Sequence, residues 1–120
     1  MQLLKLDADF SVCKLFSADT VDLNRPYGFL SVTDEEISYV CPTKLVPQNT
    51  MAREDGWRAF KIQGVLDFGM IGVIANITGL LAAHNISVFV ISTYNTDYIL
   101  VKSENFQNAS NILNPQYEIV

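Results

Sequence analysis

Residues 64–102 read GVLDFGMIGVIANITGLLAAHNISVFVISTYNTDYILVK, a stretch that contains a glycine-bearing loop, an apolar helix and two strands. Apolar side chains at helical spacing predict the helix over residues 70–84. Because this helix is apolar around most of its circumference, we expect it to be covered on more than one side. Asp67 is a candidate N-cap, and Asn85 stands where a left-handed residue would end the helix.

Two glycines, Gly72 and Gly79, fall inside the predicted helix. Each costs about 1 kcal/mol relative to alanine in a helix interior. We therefore expect a close approach at these positions, either by a neighbouring backbone or by a ligand.

Two strands follow the helix, over residues 86–93 and 98–102, and both are rich in β-branched and aromatic side chains. The polar residues between them predict a hairpin turn. Polar side chains from Ser92 to Asp97 thus gather at one end of an otherwise apolar sheet. This end of the sheet is the candidate functional site.

The C-terminal half has the element order of a ferredoxin-like fold. A strand over residues 57–63 precedes the helix, and a second helix over 104–113 and a last strand over 117–120 follow the hairpin. This βαββαβ order predicts an α+β domain of the ferredoxin-like class, with a four-stranded antiparallel sheet that carries both helices on one face.

The N-terminal half resembles a shortened copy of the C-terminal half. Residues 31–40 match residues 92–101 at a spacing of 61, while residues 17–27 lack a helical stripe. We interpret the first half as a degenerate, helix-poor repeat. The predicted domains are 1–56 and 57–120, with the strand at 57–63 shared by both.

Composition excludes several classes of function. A net charge of −5 argues against nucleic-acid binding, and the apolar runs are too short to span a bilayer. The first residues lack a secretory signal, so we expect a cytoplasmic protein. One histidine, no catalytic grouping and no metal-ligand spacing argue against an enzyme, a metal site or a cofactor. Cys13 and Cys41 are predicted to be small buried side chains.

The residues 72–77 (GVIANI) and 84–101 (HNISVFVISTYNTDYILV) resemble small bacterial ACT-domain proteins with two ACT-like repeats. The same region is similar to the CASTOR-type amino-acid sensors. The resemblance implies a regulatory module that binds an amino acid or another small ligand at an interface between domains. Carried onto this chain, it implicates two groups of residues, one before and at the helix start and one at the hairpin turn: Asp67, Gly69, Met70, Ile71 and Gly72, and Ser92, Thr93 and Asp97. By the repeat, Ser31 and Glu36 form a possible second site.

Elementary chemistry supports such a site. Backbone N–H groups at the helix start could hold the carboxylate of an amino acid, and Asp97 could hold its ammonium or a cationic side chain. The alternative is that Asp97 only caps the turn and Gly69 only permits the loop. At the level of function, the alternative is a structural interaction module without a ligand. The apolar perimeter of the helix predicts self-association, and an unidentified protein partner is also compatible with the sequence.

Overall fold

The structure is a computed structural model, and it describes residues 1–63 and 72–120. The ligand-site predictions for Asp67, Gly69, Met70 and Ile71 lie outside these residues. In chain order, the described strands and α-helices are β1 (Gln2–Lys5), β2 (Phe10–Leu15), β3 (Phe29–Val32), β4 (Ile37–Pro42), β5 (Thr50–Ile62), α1 (Val73–Ala83), β6 (Phe89–Ser92), β7 (Asp97–Lys102), α2 (Phe106–Leu113) and β8 (Glu118–Ile119). The chain divides into two compact units, which we call the C-terminal unit (residues 1–7 and 58–120) and the N-terminal unit (residues 8–57).

The sheet of the C-terminal unit has the strand order β8-β1-β5-β7-β6. The last part of β5 is the first strand of the predicted order, and α1, β6, β7, α2 and β8 follow it as predicted. The unexpected member is β1, which runs antiparallel to β5 and parallel to β8. The predicted four-stranded antiparallel sheet is therefore wrong in this respect, because β1 separates β8 from β5. Residues 1–7 consequently belong to the C-terminal unit, although the sequence assigned them to the first half.

Both helices pack on one face of this sheet. Alternate strand residues such as Leu3, Phe60 and Val101 share a core with residues of both helices, as the alternation of side chains along a strand requires. The rings of Phe60 and Phe106 stack with their centroids 4.5 Å apart. The predicted helical layer on one face is thus confirmed.

The ends of α1 follow from two residues in the left-handed conformation. Asn85 has a φ of 60°, as predicted, and the N–H of Ile86 donates to the Leu81 carbonyl at 3.0 Å. This bond closes the helix in the manner of a Schellman motif. At the other end the N-cap is Gly72, with a φ of 88°. The prediction of Asp67 as N-cap is therefore wrong, and the helix begins at Val73 rather than at residue 70.

The N-terminal unit has the strand order β3-β4-β2-β5, and each of these neighbouring pairs is antiparallel. Residues 8–57 contain no α-helix, and their helical turns are limited to two short 3-10 segments, Ala18–Thr20 and Thr43–Leu45. Its core contains Cys13 and Cys41, which are buried free thiols, as predicted. Side chains from the loops, from β3 and β4 and from a 3-10 segment, such as Val21, Leu30 and Leu45, pack against this core.

Candidate functional site

The turn between β6 and β7 is closed by Thr93. Its N–H donates to the Thr96 carbonyl at 2.8 Å, and its hydroxyl donates to the same oxygen at 3.0 Å. The same hydroxyl also accepts from the Thr96 N–H at 3.4 Å. Thr93 is exposed, but its hydroxyl is already engaged in shaping the turn.

Asp97 and Ser92 form a pair of neighbouring side chains next to this turn. They stand directly opposite each other in the β6–β7 register, so their side chains lie on the same side of the sheet. Because alternate residues of a strand face the same side, Asp97 also shares its side of β7 with Ile99 and Val101, which belong to the core under the helices. The pair therefore lies on the helix-bearing side of the sheet, where Asp97 is half-buried and Ser92 is exposed.

The Asp97 carboxylate makes none of the hydrogen bonds that close the turn. Within residues 1–63 and 72–120 it has neither a hydrogen bond nor an ion pair. A half-buried carboxylate has lost part of its hydration, and a cationic or N–H partner would restore that interaction. The geometry thus assigns the capping role to Thr93 and leaves the charge of Asp97 available.

Thr96 is a site residue that the sequence analysis missed. Its side chain is 4% exposed, and its hydroxyl donates to the carbonyl of Ile62 at 2.8 Å. Because Ile62 is the last residue of β5, this bond holds the turn at the C-terminal end of that strand. The Thr-x-x-Thr spacing of the turn was the available signal, yet it does not show which hydroxyl is buried.

The start of α1 has no side-chain cap, so the N–H groups of its first turn have no partner from the Gly72 N-cap. The helix is anchored nearby by Asn76, whose amide donates to Gln116 at 3.0 Å and also to the Tyr117 hydroxyl. Among residues 1–63 and 72–120, a Cβ added at Gly72 or Gly79 would meet no atom within 4 Å, so no described backbone makes the expected close approach to these glycines. Close approach by a ligand stays a prediction.

The turn between β3 and β4 is built in the same way as the turn between β6 and β7. The Thr33 N–H donates to the Glu36 carbonyl at 3.0 Å, and the Thr33 hydroxyl accepts from the Glu36 N–H at 3.1 Å. Thr33 thus corresponds to Thr93, a spacing of 60 rather than the 61 proposed from the sequence.

This register changes which residues of the two hairpins correspond. The partners of Ser92 and Asp97 in the first hairpin are Val32 and Ile37, which face each other across β3 and β4. Ser31 and Glu36 are both exposed, and Glu36 lies within the turn. The structure therefore does not bring Ser31 and Glu36 together as it brings Ser92 and Asp97 together.

A second polar cluster lies in the N-terminal unit. The fully buried Ser11 donates to the Asp55 carboxylate at 2.6 Å and is 2.8 Å from the Thr43 hydroxyl. Arg53 pairs with the same carboxylate at 3.0 Å. The hydrogen bond from Ser11, followed by that from Arg53, lowers the pKa of Asp55. The cluster sits where the β2–β5 register shifts and where Gly56 has a φ of 86°, so it stabilises a bulge.

Burial controls the chemistry of both thiols. It raises the pKa of the Cys41 thiol to about 12 and raises the pKa of Cys13 as well. Such thiols are poor nucleophiles at neutral pH. In the described ranges, no group of three or more His, Cys, Asp or Glu side chains is placed to hold a metal ion. None of the described helices is long and apolar enough to cross a membrane.

Comparison with known proteins identifies the family. The sequence model of the ACT domain matches residues 52–115. The chain belongs to the ACT domain family. It is 36% identical over 93 residues to the mouse (Mus musculus) protein named cytosolic arginine sensor for mTORC1 subunit 1. That match covers 76% of this chain but only 28% of the mouse protein.

Two further relatives match almost the whole chain. The human (Homo sapiens) putative protein CASTOR3P is 28% identical over 127 residues, covering 98% of this chain and 74% of that protein. The crystal structure of protein Atu0741 from Agobacterium tumefaciens superposes with a TM-score of 0.86 at 27% identity, covering 99% of this chain and 91% of that chain. The fold of this chain is thus similar to that of a solved bacterial protein.

Proposed function

We propose that this chain is a regulatory ACT module that binds an amino acid where the β6–β7 turn meets the C-terminal end of β5. The single observation that carries the proposal is Asp97, a half-buried carboxylate on the helix side of the sheet with no partner among the described residues. Membership of the ACT family supports a regulatory rather than a catalytic role.

The proposed site matches the two charged groups of a free amino acid. The uncapped N–H groups at the start of α1 would bind the carboxylate, since a helix start favours negative charge. Asp97, with Ser92 beside it, would bind the ammonium or a cationic side chain. Asp67, Gly69, Met70 and Ile71 join the proposal on the strength of the family resemblance.

L-arginine is the first ligand to test. The mouse relative is named an arginine sensor, and a carboxylate matches the planar guanidinium with two parallel hydrogen bonds.

The wider proposal concerns architecture and output. In the N-terminal unit the strands β3-β4-β2-β5 lie in the order second, third, first and fourth along the chain. The strands β6-β7-β5-β8 of the C-terminal unit have the same order once β1 is left out, which supports a helix-poor second repeat. We propose that the protein is cytoplasmic, that it self-associates, and that ligand occupancy is transmitted through this assembly or through a protein partner. No catalytic step forms part of the proposal.

A thermal-shift screen against the twenty amino acids tests the proposal. A ligand at 100 times its Kd should add about 2.7 kcal/mol to the free energy of unfolding. Stabilisation by none of the amino acids would instead favour a structural module without a ligand.

Substitution of Asp97 then tests the site. Hydrogen bonds to charged groups contribute about 1.5–3 kcal/mol, so Asp97→Ala should weaken binding roughly 10- to 150-fold. Asp97→Asn keeps the size of the side chain and removes its charge, so it should weaken the binding of a cationic group by a similar factor. Glu36→Gln makes the same change of charge at the other hairpin and should leave affinity unchanged. Unchanged binding by Asp97→Asn would refute the assignment, whereas lost binding in Glu36→Gln would reveal a second site.

A further inference from the structure

We infer that Thr96 is a positioning residue for the ligand site, which it serves by fastening the β6–β7 turn to the end of β5. The inference rests on the proposed function, because it concerns the geometry of the same site. Thr96 would not touch the amino acid itself. Its effect on affinity would pass through Asp97, the next residue in the chain, and through Ser92 opposite it.

The hydrogen bonds of Thr96 join two segments that the sequence separates widely. Its hydroxyl donates to the Ile62 carbonyl at 2.8 Å, and its own carbonyl accepts from the Thr93 N–H at 2.8 Å. Ile62 is fully buried and paired with Leu3 of β1, so it provides a fixed point in the sheet. The turn is thus tied at once to its own strand end and to β5.

The other hairpin shows that such a turn does not need this tie. The corresponding residue there is Glu36, which is exposed, and the Thr33 hydroxyl still closes the turn. Closing the turn therefore does not require a hydrogen bond to a neighbouring strand. In the β6–β7 turn, Thr96 makes this additional hydrogen bond to β5, next to the carboxylate of Asp97.

A purely structural role predicts a different behaviour. In that case the hydroxyl would only satisfy a buried carbonyl, and its loss would lower stability without changing the affinity of the folded protein. A positioning role predicts weaker binding by fully folded protein, since small displacements of binding groups are costly. Affinity and stability therefore separate the two roles.

The experiment compares wild type with Thr96→Val, Thr96→Ser and Ser110→Ala. Valine has nearly the shape of threonine without its hydroxyl, and serine keeps the hydroxyl. Ser110 is buried in α2, and its hydroxyl donates to the Phe106 carbonyl at 3.0 Å, so Ser110→Ala removes a similar bond away from the turn. Calorimetric titration with L-arginine, or with the amino acid that most stabilises wild type, would be run in sucrose to keep every variant folded.

We expect Thr96→Val to bind about tenfold more weakly, equivalent to about 1.4 kcal/mol, while Thr96→Ser and Ser110→Ala bind as wild type does. Equal affinity of wild type and folded Thr96→Val would overturn the inference but leave the proposed function intact. Weak binding by Thr96→Ser would also overturn it, because the hydroxyl is then not the cause. Should Thr96→Val not fold, Thr96→Ala would take its place in the same comparison. Failure of every amino acid to bind wild type would instead refute the proposed function.

Discussion

Alanine at Gly72, the N-cap of α1, and alanine at Gly79, inside the helix, should have opposite effects on stability. A Cβ added at Gly72 or Gly79 would meet no atom of the described residues within 4 Å, so steric contact within this part of the chain does not distinguish them. The backbone does, because Gly72 has a φ of 88° and Gly79 lies inside α1. A left-handed conformation costs a non-glycine residue about 1–2 kcal/mol, so Gly72→Ala should destabilise by that amount. Gly79→Ala should stabilise by about 1 kcal/mol through helix propensity.

Urea unfolding measures both effects, with an unchanged dependence on urea showing that the unfolding reaction is the same. Gly72→Asn is the control, since asparagine tolerates the left-handed conformation better than alanine does and should cost less. A destabilised Gly79→Ala would refute the reasoning. It would mean that a surface outside the described chain contacts Gly79, and repeating the measurement at two protein concentrations would show whether that surface is a second copy.

Two further predictions concern the N-terminal unit. The pKa of Asp55 is lowered from its ordinary value of 3.8, so its contribution to stability is present above that value and is lost as the pH falls through the folded-state pKa. The stability difference between wild type and Asp55→Asn should therefore be constant near neutral pH and shrink below about pH 4, and a difference that grows in acid would contradict this. Cys13 and Cys41 should react with a thiol reagent only after unfolding in urea, because burial raises the pKa of both thiols. Rapid labelling of the native protein would show that either thiol is accessible.

Local patterns in the sequence were sufficient to predict the helical layer, the β6–β7 hairpin and the C-terminal end of α1. Each depends on residues that are close in the chain, such as Asn85 at the helix end. The prediction of where α1 begins was wrong because its N-cap is Gly72 in a left-handed conformation, so the sequence holds no polar capping side chain at that position. Propensity alone does not reveal a backbone that begins a helix in this way.

Contacts between distant residues could not be predicted in the same way. The buried bond from Thr96 to Ile62 depends on the position of one strand end relative to another. In the sequence, the two hairpins were aligned by matching Ser31 with Ser92, whereas the hydrogen bonds of Thr33 and Thr93 match the two turns at a spacing of 60. Asp97 and Ser92 were correctly expected at one end of the sheet because both flank a single short turn.

The placement of β1 has a consequence for how the protein is made. Residues 2–5 leave the ribosome before the strands on their two sides, which are supplied by residues 60–62 and 118–119. Residues 8–57 can pair among themselves during translation, while β1 gains its second neighbour, β8, only when residues 118–119 have been made. Pairings between residues so far apart in sequence form slowly. The C-terminal unit should therefore be completed only once residues 118–119 have left the ribosome, and a nascent chain stalled before residue 118 would leave the β8 side of β1 unpaired.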